Sequence, residues 1–269
     1  MNLLSGRKRV LRQVLMVTLI IALLGVGIAG GKKKVPPPPP GLPSQISALA
    51  KQLPGVMLVD AGPTLSQIQT LVVNHMSEWI ANRTPTVLET RNELDKLFSL
   101  LQYPEVAEST VFAQPWNGQM VIGVGYNLGW TDYDHQNVLA IFTSSVSKSH
   151  LVTVTNFVPR VNLDFQMLPQ LSWSDLRFFL YGTRPGKSQL RLSAILYSFD
   201  GQNLKPLWES LDIYDGVIQF LGDKLTIKYL KEDEYVQAVE RKEKPPRHLT
   251  TYQLTTAGIE LLDEHEIPF

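Results

Sequence analysis

The chain has no cysteine among its 269 residues. That excludes a disulfide framework, a thiolate metal site, a cysteine nucleophile and a lipid-modified cysteine anchor. The fold must therefore rest on its packed core. Catalytic signatures are missing as well: there is no G-x-S-x-G, no H-E-x-x-H and no Walker A stretch, so the serine-hydrolase, zincin and P-loop classes have no foothold. Negative charge is missing at the start, where residues 1–34 carry seven Lys and Arg and no acid. The chain is neutral overall, so the remainder holds 18 basic against 25 acidic residues, a net charge of −7. An acidic body of that kind argues against nucleic acid as a partner.

Long apolar runs are scarce, and the exception organises the chain. Residues 14–31 (VLMVTLIIALLGVGIAGG) hold no charge. A bilayer core of about 30 Å takes about 20 apolar helical residues, with a lower bound near about 17. Thr18 is the one polar residue, and a helix can bond its hydroxyl to its own carbonyls. Arg7, Lys8, Arg9 and Arg12 precede the run and Lys32, Lys33 and Lys34 follow it. The positive-inside bias, with the amino terminus added, places the N-terminus in the cytoplasm and the rest of the chain across the membrane. Cleavage of a signal peptide at Gly27-Ile28-Ala29 is the alternative, and would release a secreted β protein. The three lysines act as a stop-transfer flank and favour an uncleaved anchor. Pro36 to Pro40 form a polyproline II rod rising about 3.1 Å per residue. Residues 32–43 thus read as a stiff spacer that lifts the body off the lipid.

The expected organisation is α+β: a basic N-terminus (1–13), a transmembrane helix (14–31), the Lys/Pro-rich spacer (32–43), a helical region (44–104) and an antiparallel β domain (105–269). Ser44 reads as the cap of a first short helix with Ile46, Leu49, Ala50 and Leu53 on its apolar side. Val56 to Val59 is too short to classify, as strand or packed linker. Thr64-x-x-Gln67 reads as a capping box, followed by Leu65, Ile68, Leu71, Val72, His75, Met76 and Trp79 at helical spacing. A second box, Thr86-x-x-Glu89, opens a helix carrying Leu94, Leu97, Phe98 and Leu101. The short connection predicts a helical hairpin, with His75 a packed or boundary residue.

Beyond Tyr103-Pro104 the period becomes two. Strands are expected around Met120–Val124, Asn137–Thr143, Leu151–Val158, Asp175–Tyr181, Leu190–Phe199, Lys205–Ile213, Val217–Phe220 and Lys224–Leu230. A closing pair, Thr250–Thr255 and Gly258–Leu262, follows. Asp200-Gly201 and Asp215-Gly216 are hairpin dipeptides, and the charged stretch from Lys231 to Arg247 reads as an exposed loop or ragged hairpin. The stretch from Gln119 and that from Asp175 echo one another as strand, polar loop, long apolar strand, turn, strand. Two aligned units of this kind are too few for a closed propeller and predict a twisted β-meander or β-sandwich-like domain of about two blade-like units. The wording YSFDGQNLKPLWES resembles the inner hairpin of blades in the FG-GAP/VCBS group of extracellular propeller domains. The resemblance spans Asp175 to Leu230. The calcium loop of that group does not carry over, because Leu171 to Leu176 offers one carboxylate, Asp175. No cofactor is expected.

Three features compete for chemistry. Asp132, Asp134 and His135 form the densest polar cluster, which reads either as a divalent-cation site or as a solvated hairpin tip. Gly123 and Gly125 give a G-x-G start without the third glycine of a dinucleotide fold, since Leu128 stands there. They read as a bulge or a place of close packing. Glu232-Asp233-Glu234 and Asp263-Glu264-His265-Glu266 read as solvated surface. Trp116, Trp130, Trp173 and Trp208 lie near turns, as contact aromatics or as core anchors. The leading expectation is a non-enzymatic single-pass envelope protein, anchored in the bilayer through residues 14–31, that binds an envelope protein or glycan. The rival is a wall- or glycan-acting hydrolase using carboxylates such as Asp132 or Asp134.

Overall fold

The computed structural model describes residues 40–54, 58–81, 83–101, 108–128, 137–144, 149–158, 161–169, 174–185 and 188–268. The expected membrane segment, the spacer up to residue 39 and the loops between these ranges lie outside them. Among the described residues no helix is long and apolar enough to cross a membrane. The fold is mixed α+β, with twelve antiparallel strands in three sheets and four described helices.

Helix α1 spans Leu42–Ala50 and α2 spans Leu58–Ala81. Helix α1 begins two residues before the expected cap: Gly41 stands at the N-cap and Pro43 occupies the first turn, where its missing N–H costs nothing. Helix α2 also begins earlier than its sequence suggests. Thr64 lies inside it, because Ala61 extends the buried stripe of Leu65, Ile68, Val72 and Met76 by one more turn. The segment read as strand or linker supplies the start of this helix, at Leu58 and Val59. Helix α3, Val87–Phe98, opens on the expected capping box. Glu89 N–H donates to Thr86 Oγ1 at 3.2 Å and Thr86 N–H donates to Glu89 Oε2 at 2.8 Å. His75 of α2 pairs with Glu93 of α3 at 2.8 Å and clasps the hairpin.

The first sheet is β1 (Ser109–Trp116), β2 (Gln119–Asn127), β3 (Asn137–Ser144) and β4 (Ser149–Phe157). The second is β5 (Val161–Met167), β6 (Leu176–Pro185), β7 (Leu190–Phe199) and β8 (Leu204–Tyr214). The third is β9 (Val217–Leu221), β10 (Lys224–Tyr229), β11 (Arg247–Leu254) and β12 (Ile259–Ile267). Each is a meander whose strands lie side by side in chain order. There are thus three four-stranded units where the sequence suggests about two. The internal echo falls on equivalent strands, since Gln119 opens β2 and Leu176 opens β6.

Because side chains alternate across a strand, each sheet offers one face to each neighbour. Val111, Ile122, Val124, Tyr126, Val138 and Phe142 of the first sheet pack under the helices. Its other face, with Phe112, Val121, Leu139 and Ile141, meets Phe178, Leu180, Ile195 and Phe199 of the second. The reverse of the second sheet, with Phe179, Leu192 and Leu196, meets Leu225, Ile227 and Leu254 of the third. The layers are therefore helices, first sheet, second sheet, third sheet.

Two local readings change. Asp215-Gly216 joins β8 to β9 and so passes between sheets instead of closing a hairpin. The charged stretch from Lys231 contains a helix, α4, Glu232–Arg241. Acids fill its first turn and Arg241 its last, which suits the helix dipole. It is fastened by buried Ala238 and by Tyr235, whose ring lies 5.2 Å from that of Tyr214.

Candidate functional site

A polar cleft of about 180 Å³ opens between the second and third sheets. Strand β8 contributes Ser210 and Ile213, β10 contributes Ile227 and Tyr229, β11 contributes Thr250 and Tyr252, and β12 contributes Glu264. Their convergence follows from register. Ile227 pairs with Thr250, Leu225 with Tyr252, and Thr250 with Glu264, so residues two apart along β10 and β11 share the inward face.

The polar atoms of the cleft are linked. Tyr229 donates its phenolic hydrogen to Glu264 Oε1 at 2.8 Å, and Lys231 Nζ lies 3.3 Å from the same oxygen. The Tyr229 bond, with Lys231 next, holds the Glu264 carboxyl below the usual carboxylate range. Burial pushes the Tyr229 phenol up, and the bond to Glu264 adds to it. Burial also raises Tyr252. The cleft therefore presents an ionised carboxylate, neutral phenols and the hydroxyls of Ser210 and Thr250 near neutral pH. Its chemistry is hydrogen bonding, by a carboxylate that only accepts and by hydroxyls. Behind it, His248 is buried and pairs with Glu234 at 2.6 Å, its ring centroid 5.6 Å from that of Tyr229. The pair fastens the first turn of α4 to β11.

A second hollow, of about 650 Å³, lies between α1 and α2 and is lined by Pro40, Ser44, Ala48, Leu49, Ser66 and Thr70 among others. Among the described residues no titratable side chain lines it. Among the described residues no group of three His, Asp or Glu side chains is placed to hold a metal ion.

The residues singled out by sequence scatter. Asp132, Asp134, His135, Trp130 and Trp173 lie outside the described residues. Trp116 is only 6% exposed, with its ring 5.9 Å from Phe199 in the core between first and second sheets. Trp208 is half-buried and lies edge-on to Phe179 and to Tyr252, at 6.0 and 5.4 Å. It therefore supports the cleft from behind. Gly123 and Gly125 are sites of close packing, beneath Phe112 and Phe165 respectively. Both charge runs are largely exposed, yet each places one residue in an organised contact, Glu234 with His248 and Glu264 in the cleft. A signal for the cleft was present in the alternation His248-x-Thr250-x-Tyr252, which puts three polar or aromatic side chains on one strand face.

Compared with protein-family models, curated proteins and solved structures, the chain gives no match.

Proposed function

We propose that the protein is a single-pass, membrane-anchored extracytoplasmic protein of the cell envelope that binds or scaffolds and does not catalyse. The observation that carries this reading is the order of segments. An uncharged run of eighteen residues stands between basic flanks, a proline run follows, and an acidic body follows that. In this reading the lysines at 32–34 hold the anchor in place and the prolines set the distance of the body from the lipid. The sheets are read as degenerate blade-like units of the kind that YSFDGQNLKPLWES resembles. Their meander connectivity and the equivalent places of Gln119 and Leu176 support that view. Stacked meanders make a platform on which a binding site can be displayed.

Protease accessibility tests the placement. In intact cells stripped of any outer barrier, added protease should degrade the body beyond residue 43 and leave a short membrane-bound fragment. Protection in intact cells with digestion in inverted vesicles would overturn the reading.

A further inference from the structure

We infer that the cleft between the second and third sheets is a subsite for a neutral polyhydroxylated ligand, a single sugar ring of a glycan. This deepens the binding reading above and is independent of which side of the membrane the body occupies.

Size comes first. At about 30 Å³ per water in the liquid, about 180 Å³ corresponds to roughly six waters. One pyranose with its hydroxyls displaces a comparable amount, whereas a peptide or a nucleotide exceeds it. Charge is next. Glu264 and Lys231, 3.3 Å apart, offset one another: an anion drawn to the lysine comes up against the carboxylate, and a cation drawn to the carboxylate comes up against the lysine. A neutral ligand meets neither cost.

The lining then selects among neutral ligands. Sugar hydroxyls donate well to an ionised carboxylate, and such charge-assisted bonds are the strong ones. Ser210 can donate or accept, while the Tyr229 and Thr250 hydroxyls, whose hydrogens go to Glu264 and to Tyr229, are left as acceptors, which suits the mixed hydroxyls of a ring. Ile213, Ile227 and the Tyr252 ring supply apolar surface for the C–H faces of the same ring. Tyr252 is backed by Trp208, so the aromatic wall is held in place before any ligand arrives.

Saturation-transfer NMR on the full-length protein in detergent, with D-glucose and N-acetyl-D-glucosamine as separate probes, tests this. The expected result is a saturable signal from at least one sugar, weakened about tenfold or more by Glu264→Gln, as expected for loss of a charged hydrogen bond. His265→Ala, beside Glu264 on β12 but outside the cleft lining, should leave the signal unchanged. Thr250→Val gives a second cleft variant should Glu264→Gln fail to fold, and is expected to weaken binding as well. No saturable signal from either sugar, or binding indifferent to both cleft variants, would overturn the inference. So would equal competition by inorganic phosphate. Protease accessibility reports on the anchor alone, so the two readings fail separately.

Discussion

Gly123 occupies a position where a methyl group has no room. A Cβ built there would stand 2.0 Å from Cε1 of Phe112, directly across the β1–β2 pair. That ring cannot retreat, because it is packed against Phe165 at 4.9 Å and Phe178 at 4.8 Å. Gly123→Ala should therefore destabilise the fold by about 1–3 kcal/mol, the usual range for overpacking, measured by urea denaturation. The G-x-G spacing was legible as a bulge or close packing, and the structure shows close packing. The identity of the ring above it was not, because Phe112 belongs to a strand whose pattern is interrupted by Gln114 and Pro115. Asp200 opens the turn between β7 and β8. Backbone N–H groups of Asn203 and Gln202 donate to its carboxylate and bring its pKa to about 2. The ordinary value is about 3.9. Its contribution is thus complete above about pH 4 and is lost as pH falls through about 2. The stability gap between the native protein and Asp200→Ala should narrow steadily over that window.

Helix ends show where local signals suffice and where they fail. Thr86 and Glu89 satisfy one another within four residues, so that box could be read directly. Thr64-x-x-Gln67 has the same pattern with Gln for Glu, but the apolar stripe continues through Ala61, and burial of that stripe outweighs the local cap. Helix α4 was hidden for the opposite reason: half of its sequence EDEYVQAVER is charged, and only Tyr235 and Ala238 mark an inner side. It ends on Lys242 in the left-handed region, φ 61°, with Glu243 N–H donating to Ala238 O at 2.8 Å. This is the Schellman arrangement with lysine where glycine is usual. Lys242→Gly should raise stability by about 1 kcal/mol, since a non-glycine residue costs about that much there. Thermal unfolding followed by circular dichroism would register the gain. The turn Asn117-Gly118, with φ of 48° and 73°, carries the strongest hairpin dipeptide in the chain. It closes β1 onto β2, a strand pair whose first member the period-two reading passed over.

Among the described residues from 40 onward, three apolar layers separate four slabs of secondary structure. Phe178 sits at the centre of the middle layer, fully buried and in contact with Phe112, Phe165 and Tyr197. Phe178→Ala should cost about 3–5 kcal/mol and lower the midpoint in denaturant. The meander order was readable from alternation and turns. The stacking order was not, because period two says that a strand has two faces without saying which neighbour each meets. Strand β5 illustrates the limit: Val161, Leu163, Phe165 and Met167 alternate cleanly, yet Asn162 at φ 51° shifts its register against β6.

Arg177 has a further consequence. From β6 its guanidinium pairs with Asp175 at 2.8 Å and donates to the carbonyls of Thr255 and Thr256, at 3.2 and 2.9 Å, in the turn between β11 and β12. Every other pairing within a sheet joins strands that leave the ribosome one after the next. This clamp must wait for some eighty further residues to be made. A nascent chain halted before Thr255 would thus carry finished first and second sheets with this arginine still seeking its last acceptors, and the final hairpin would lock the assembly as it emerged.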